Sequence, residues 1–191
     1  MRRFAACVAL ACGLTLATAA SAYDIDPLTH QPMPQFAPGG RVAYTPIPRE
    51  EIDYKGPYAP GMIVISTQER RLYYILPNGR AIKYGVGVGR PGFSWGGIQA
   101  ISMKKEWPEW TPPAQMLRRR PDLPRHMAGG MDNPLGARAM YLGSTLFRIH
   151  GSNEPETIGQ AVSSGCIRMT NDDVTDLYER VKIGTKVVVL R

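Results

Sequence analysis

Apolar and polar residues alternate in short runs from about residue 60 to the end of the chain. Runs of roughly four to eight β-branched and aromatic residues, bounded by glycine, proline or asparagine, are typical of β-strands. The pair Asn78-Gly79 between two such runs indicates a tight hairpin turn. The pattern therefore predicts strands in the segments GMIVIS, RLYYIL, AIKYGVGVG, GIQAISMK, RAMYLG, TLFRIH and TKVVVL.

A helical period is visible in two segments only. The segment 156–162, ETIGQAV, is a short candidate. The segment 171–181, NDDVTDLYERV, is stronger, because Asn171 or Asp172 can cap it and acidic residues favour the positive end of a helix. We expect Gly184 to stop this helix. One apolar face would be formed by Val174, Leu177, Tyr178 and Val181.

Residues 104–136 form a long irregular insertion with many prolines and no sustained period. Such insertions in compact domains are usually functional loops or disordered. Trp107 and Trp110 argue against full disorder. The two rings would serve as a lid or a sugar-stacking platform, or they would pack in a satellite core. The fold class predicted from all elements is mainly β, with one or two short helices and this insertion.

The first 22 residues are predicted to be a cleavable signal peptide. They combine a basic start, an apolar run and small residues at Ala20 and Ala22. An uncleaved anchor is the weaker alternative, because the apolar run is shorter than the about 20 residues that cross a bilayer. We therefore expect an exported protein without a transmembrane segment.

Residues 23–58 are predicted to be a proline-rich linker, leaving 59–191 as one folded domain. Proline fixes φ and removes a hydrogen-bond donor, so the linker is expected to be extended or disordered. An arm that lies on the domain surface, anchored by Tyr44 and Ile47, is the alternative.

Charge and composition exclude several partners and cofactors. The net charge of +7 becomes +5 when Arg2 and Arg3 leave with the signal peptide. A mildly basic exported protein suits an anionic surface or polymer, and no basic stripe with interleaved aromatics indicates nucleic acid. Metal-ligand spacing is absent, and the glycine-rich GVGVGRPG lacks the lysine of a phosphate loop. We predict no metal and no cofactor.

Cys166 is the one cysteine left after the signal peptide is removed. An odd thiol in an exported protein indicates intermolecular pairing or a reactive group, whereas the alternative is a small buried hydrophobe. A thiol at its ordinary pKa of about 8.5 needs a base. His150 ends a predicted strand, and the turn-rich segment between it and Cys166 can bring the two together.

The residues around Cys166 have candidate roles of their own. The amides of Gly165 and Cys166 could stabilise an oxyanion, since glycine permits a sharp turn and close approach to a substrate. Arg168 would share a face with Cys166 in an extended segment. It would favour the thiolate or hold a substrate carboxylate, or it would form a structural ion pair with Asp172 or Asp173.

The motif HGSN…SSGCIRMTNDDV resembles the catalytic domain of the L,D-transpeptidase family, the YkuD-type fold. The segments YGVGVGRPGFSWGG, KKEWPEWTPP, AGGMDNPLGARAMYLG and GTKVVVL extend the resemblance over roughly residues 60–191. It implies a YkuD-like β-sandwich. Departures are Ser164, where many members have a second histidine, and Phe93-Ser94-Trp95, where many carry Thr-Pro.

The resemblance also implies roles for individual residues. Cys166 would be the nucleophile and His150 the general base and acid, oriented by the backbone carbonyl of Gly151. The oxyanion would be bound by the amides of Gly165 and Cys166, with the region of Tyr141 as a further contributor. Substrate-contacting residues expected around the cleft are Arg168, Ser164, Tyr141, Trp107 and Trp110.

The expected function is a periplasmic peptidoglycan L,D-transpeptidase. The thiol would take an acyl group from a stem peptide by cleaving an L-D bond and pass it to an amine, forming 3-3 cross-links or anchoring an envelope protein. The first alternative is a carboxypeptidase or endopeptidase with the same Cys-His site. The others are a non-catalytic wall-binding module and an oxidoreductase with a lone thiol, which lacks a resolving cysteine.

Overall fold

The computed structural model describes residues 46–191. The predicted signal peptide 1–22 and the first part of the predicted linker lie outside the described residues. The elements, in chain order, are β1 (Glu50–Asp53), β2 (Ile63–Ser66), β3 (Arg71–Leu76), β4 (Arg80–Gly85), β5 (Val88–Gly89), β6 (Gly97–Glu106), α1 (Ala114–Arg119), β7 (Arg138–Leu142), β8 (Arg148–His150), β9 (Ala161–Ser163), β10 (Ile167–Arg168), α2 (Asn171–Arg180) and β11 (Lys186–Leu190).

Nine of these strands form one sheet in the order β1-β4-β3-β2-β11-β6-β7-β8-β10, while β5 pairs with β9. Strand β6 joins the two halves of the sheet. Its start, Gly97–Ala100, pairs with β11, and its end, from Ile101 to Glu106, pairs with β7 across an irregularity between Ile101 and Met103. A bulge bends a strand and increases its twist. The sheet therefore curls around one core, and the predicted mainly β class is confirmed.

The core lies between the curled sheet and α2. It contains apolar residues from both halves of the sheet and from α2, among them Ile63, Leu72, Met140, Ile149, Ile167 and Leu177, all at most 1% exposed. Each such side chain contributes roughly 1.5–3 kcal/mol by leaving water. Tyr84 is also fully buried, and its hydroxyl donates to Asp176 Oδ2 at 2.6 Å. The phenol of Tyr84 thus enters the core with its hydrogen bond made.

The β3–β4 hairpin follows the sequence prediction. Its central residues, Asn78 and Gly79, have φ of 59° and 68°. Positive φ at both positions is the requirement of a type I′ turn, which asparagine and glycine meet at least cost. The strands that flank the turn, β3 and β4, pair without a register shift.

Helix α2 forms where it was predicted, but its cap differs. Thr170 is the N-cap, and its Oγ1 accepts the amide of Asp173 at 3.1 Å. The side chain of Asn171 is used elsewhere: its Oδ1 accepts the amides of Ala137 at 2.9 Å and Ser152 at 3.3 Å. The predicted apolar face packs on the core, with Val174, Leu177 and Val181 buried and Tyr178 partly buried.

The helix predicted over 156–162 is wrong. Only Pro155–Thr157 forms a 3₁₀ turn, and Ala161–Ser163 is strand β9. Gly159 interrupts the segment with a φ of 87°, and the backbone after it pairs with β5 instead. The insertion 104–136 also differs, since residues 104–106 continue β6 and Ala114–Arg119 forms α1.

The described part of the predicted linker lies on the domain, which was the alternative noted for it. Strand β1 pairs antiparallel with β4. Ile47 packs against Gly85, where an added Cβ would lie 2.7 Å from the Cβ of Ile47. Arg49 forms ion pairs with Asp176 at 3.2 Å and Asp173 at 3.7 Å. Within residues 46–191, no helix has both the length and the apolar content needed to cross a bilayer.

We expect Thr170→Ala to destabilise the domain by about 1 kcal/mol, because the Asp173 amide loses its capping acceptor. Thr175→Ala is the matched control, since the Thr175 hydroxyl only donates back to the Asn171 carbonyl within the same helix and its loss should change stability by less than about 0.5 kcal/mol. Urea unfolding measures both. Equal losses in the two variants would contradict the capping role.

Candidate active site

Cys166 and His150 are brought together by two short parallel strands. In the pairing of β10 with β8, Ile167 lies opposite Ile149 and Arg168 opposite His150. Extending this register by one residue places Cys166 opposite Arg148. Because side chains alternate between the faces of a sheet, Cys166, Arg168, Arg148 and His150 share one face. Cys166 and His150 are diagonal neighbours there, with about 8 Å expected between their Cα atoms, which a thiol and an imidazole can bridge.

The imidazole of His150 is held in one tautomer. Its Nδ1 lies 2.6 Å from the carbonyl oxygen of Gly151, and since a carbonyl can only accept, Nδ1 carries the proton. Nε2 is thereby left as an acceptor. The pKa of His150 is lowered to about 3, mainly by burial and also by the charges of Arg168 and Arg148, while the hydrogen bond to the Gly151 carbonyl acts to raise it. His150 is therefore a neutral base at physiological pH.

The thiol of Cys166 is also neutral at rest. The residue is partly exposed, and its Sγ lies 3.9 Å from the carbonyl oxygen of Leu146. Burial of the sulfur raises the thiol pKa, whereas the amide and guanidinium of Arg148 and the charge of Arg168 act to lower it. A raised pKa excludes a standing thiolate at neutral pH, so a reaction of this sulfur as a nucleophile would require proton transfer to a base.

The turn before Cys166 is stabilised by Ser163. Its Oγ accepts the amide of Gly165 at 3.0 Å and donates to the carbonyl of Cys166 at 2.6 Å. The amide of Gly165 is thus already used within the turn, which corrects the expectation that it faces a substrate oxyanion. A short polar side chain two residues earlier competes for this amide, as is common in serine turns. Gly165 itself has a φ of 111°, and an added Cβ would lie 2.4 Å from the ring of Phe147.

Trp95 fixes the peptide between Gly165 and Cys166. Its Nε1 donates to the Gly165 carbonyl at 2.7 Å, and its ring stacks on Phe147 with centroids 4.6 Å apart. In a trans peptide the C=O and the following N–H point in opposite directions. The hydrogen bond therefore turns the Cys166 amide away from Trp95. This contact comes from the Phe93-Ser94-Trp95 stretch that departs from the common family sequence.

Arg168 forms an ion pair, but with neither aspartate suggested by the sequence. Its Nη1 lies 2.9 Å from Oε2 of Glu154 and 3.4 Å from Oγ1 of Thr157. Glu154 comes from the loop after β8, which sequence spacing alone did not bring to this face. Asp173 is instead paired with Arg49.

Arg148 is a site residue that the sequence analysis missed. It lies beside Cys166 in the strand register, and its guanidinium carbon lies 4.9 Å from the ring centroid of Tyr141. The ring of Tyr141 thus supports the Arg148 guanidinium. A role of Tyr141 as an oxyanion donor stays a prediction. The signal was present in the segment LFRIH, because residues two apart in a strand share a face and Arg148 stands two residues before His150.

The other expected substrate contacts lie around the cleft or in the insertion. Ser164 Oγ accepts from Arg90 Nη1 at 3.1 Å. Trp107 follows β6 with a φ of 41° and is 40% exposed, and its amide donates to the carbonyl of Ala137. Trp110 pairs through its backbone with Met127 inside the insertion. A role of either tryptophan in sugar stacking stays a prediction.

The loop that carries Gly151 is supported by Asn171. An added Cβ on Gly151 would lie 2.3 Å from Asn171 Oδ1 and 3.0 Å from the Ala137 nitrogen. Only a glycine fits there, and its carbonyl is thereby fixed as the acceptor for His150. A cavity of about 710 Å³ opens on the same loop, lined by Ser152, Asn171 and the arm from Pro46 to Arg49; Cys166 does not line it. Within residues 46–191, no three acidic, histidine or cysteine side chains are grouped to hold a metal ion.

The protein belongs to the L,D-transpeptidase family: residues 60–189 match the YkuD family profile, the L,D-transpeptidase catalytic domain. The matched range contains both strands of the site, the Trp95 segment and the insertion.

Two similar proteins carry different descriptions. The chain is 37% identical over 137 residues to the Probable L,D-transpeptidase ErfK/SrfK of Escherichia coli, covering 67% of this chain and 43% of that protein. It thus spans less than half the length of that relative. A crystal structure from Brucella melitensis, described as a probable carnitine operon oxidoreductase, is 45% identical with a TM-score of 0.51, covering 75% of this chain and 93% of that one.

The fold is shared with more distant transpeptidases. L,D-transpeptidase 3 of Mycobacterium tuberculosis, solved with a faropenem-derived adduct, has a TM-score of 0.55 at 18% identity and covers 68% of this chain and 60% of that one. At this identity the likeness concerns the fold.

We expect the pKa of His150 to appear in the pH dependence of stability. The unfolded imidazole takes up a proton near pH 6.5, whereas the folded one does so only near pH 3. Its contribution is therefore complete above about pH 6.5 and is lost as the pH falls toward 3, by up to about 1.4 kcal/mol per pH unit.

The control for this prediction is His150→Gln, which removes the titrating group. Urea unfolding of both proteins between pH 4 and pH 7 should give the wild type the steeper loss of stability on acidification. Parallel curves would show that His150 titrates normally in the folded protein.

Proposed function

We propose that the protein is a peptidoglycan L,D-transpeptidase that uses Cys166 as its nucleophile and His150 as its base and acid. The observation that carries the proposal is the shared face of β8 and β10, where a tautomer-fixed, neutral imidazole accompanies a partly exposed neutral thiol. Family membership over residues 60–189 supports the substrate class.

The first step is acylation of the thiol. His150 Nε2 accepts the thiol proton as Cys166 Sγ attacks the carbonyl carbon of an L-residue, such as the diamino acid at the third stem position. The S–C bond forms and the C–N bond to the terminal D-residue breaks. The imidazolium is strongly acidic, because the surrounding arginines and burial disfavour its charge. It therefore gives its proton readily to the leaving amine.

The oxyanion formed in this step needs preorganised donors. The Cys166 amide is the donor we assign, because Trp95 holds the adjoining Gly165 carbonyl on the opposite side of the peptide. The amide of Gly165 would join it only after exchanging its bond to Ser163. The Arg148 guanidinium adds positive charge beside the same sulfur.

The second step transfers the acyl group to an amine. The acceptor nitrogen attacks the thioester, the C–N bond forms, the C–S bond breaks, and His150 carries the released proton back to sulfur. A second stem peptide as acceptor gives a 3-3 cross-link, and an amine of an envelope protein gives anchoring. Water as acceptor makes the same site a carboxypeptidase or endopeptidase.

The setting we propose is the periplasm, on the basis of the predicted signal peptide 1–22. A redox function, which the description of the Brucella relative would suggest, has little support. A thiol redox cycle commonly needs a resolving cysteine, and the sequence holds only Cys7 and Cys12 besides Cys166, both inside the predicted signal peptide.

We expect wild-type protein incubated with purified sacculi to change the muropeptide profile, and Cys166→Ala to leave it unchanged. Mass spectrometry identifies the products: dimers linked between third-position residues indicate transfer to a stem, and trimmed monomers indicate hydrolysis. His150→Gln should lower the rate by roughly 10²- to 10⁴-fold, the usual contribution of general acid–base catalysis. Identical profiles for wild type and Cys166→Ala would overturn the enzymatic proposal.

We also expect a carbapenem to acylate Cys166, because a strained lactam carbonyl presents an acyl donor to the same thiol. Intact-mass spectrometry of folded protein should show an increase by one drug molecule. The Cys166→Ser variant is the matched control, since its hydroxyl is far less nucleophilic at neutral pH. The same adduct on that variant would place acylation elsewhere in the chain.

A further inference from the structure

Arg148 carries a charge that no carboxylate neutralises within the described part of the chain. Carboxylates pair with Arg49, Arg80, Arg120, Arg138, Arg168 and Arg180 in residues 46–191, and Arg148 is not among these ion pairs. Its Nε is buried and lacks a hydrogen-bond partner. A buried donor on a charged group is costly unless an acceptor satisfies it. Arg138 has the same orphan Nε but is paired with Glu106, so what distinguishes Arg148 is the lack of a carboxylate partner in residues 46–191.

The guanidinium is positioned at the reacting sulfur. Arg148 lies opposite Cys166 in the extended β8–β10 register, and both its amide and its side chain act on the thiol. The ring of Tyr141, which pairs with Arg148 across β7 and β8, supports the guanidinium at 4.9 Å. A planar guanidinium held on an aromatic face presents its N–H groups in a fixed orientation, which suits binding of a carboxylate.

Arg168, the arginine first considered for a substrate carboxylate, is poorly suited to it. Its Nη1 already contacts the carboxylate of Glu154 at 2.9 Å, so an incoming anion would meet repulsion from Glu154 as well as attraction. Of the two arginines on the face of Cys166, Arg148 alone keeps its charge uncompensated by a carboxylate in the described residues.

We propose that Arg148 binds the α-carboxylate of the terminal D-residue that leaves the acyl donor. This inference rests on the proposed transpeptidase function. In the donor, the carboxyl carbon is three bonds from the attacked carbonyl carbon, so the two lie roughly 4 Å apart. A cation beside the attacking sulfur can therefore reach that carboxylate. The site would select donors with a free carboxyl end. Binding of that carboxylate would position the scissile bond beside Cys166.

The test compares two tetrapeptide-stem donors that end in D-alanine or in D-alaninamide. Wild-type protein should prefer the free acid by roughly 10- to 100-fold in kcat/KM, the size expected of a charge-assisted contact. In Arg148→Gln the preference should fall to near one, and Arg148→Lys should retain part of it. Arg80→Gln, which removes an arginine on the distant β4, controls for the lost charge and should keep the wild-type ratio.

The outcomes separate this inference from the function on which it rests. An unchanged acid-to-amide ratio in Arg148→Gln overturns the inference. This holds even if kcat/KM falls equally with both donors, because Arg148 would then act on the thiol alone. If the wild type transfers neither donor, the proposed function fails, and donor binding to Cys166→Ala decides the inference separately. Calorimetry should then show tighter binding of the acid than the amide, and the difference should vanish in Cys166→Ala/Arg148→Gln.

Discussion

The parallel pairing of β8 with β10 is the constraint on which the site depends. Each strand contributes only two or three residues, yet their register decides which side chains share a face. A slip by one residue would turn Cys166 to the opposite side from His150. The strands around this pair resist such a slip, because Ile149 and Ile167 at its centre are buried in the core. Packing of apolar residues thus fixes the position of polar ones.

The electrostatics of the face follow from that burial. Neither the thiol nor the imidazole is charged at rest, since leaving water penalises both ionised forms. Two arginines beside them favour a negative sulfur and disfavour a positive imidazole. In the proposed mechanism, the proton therefore moves only when an acyl donor is in place to react with the sulfur. Glu154 partly neutralises the charge of Arg168. The positive charge beside the sulfur therefore comes mainly from Arg148.

Sequence reasoning recovered the long elements and the approach of Cys166 to the strand of His150, and it failed where tertiary contacts decide. Strong alternation predicted β3 and β4, and Asn78-Gly79 gave their turn, because local conformation determines both. Strand β9 was read as a helix, since its pairing with β5 comes from distant residues. No pattern in the sequence indicated that the Ser163 hydroxyl would accept the Gly165 amide. Arg148 was overlooked although its spacing from His150 carried the signal, because an arginine in a strand is usually a surface residue.

The stack of Trp95 on Phe147 has a practical consequence. An indole hydrogen-bonded to the residue before Cys166 is a fluorophore beside the proposed nucleophile, where a bound acyl group would alter polarity and quenching. The remaining tryptophans, Trp107 and Trp110, lie in the insertion and give a separate emission background. Intrinsic fluorescence can therefore follow occupancy of the thiol in real time without a label.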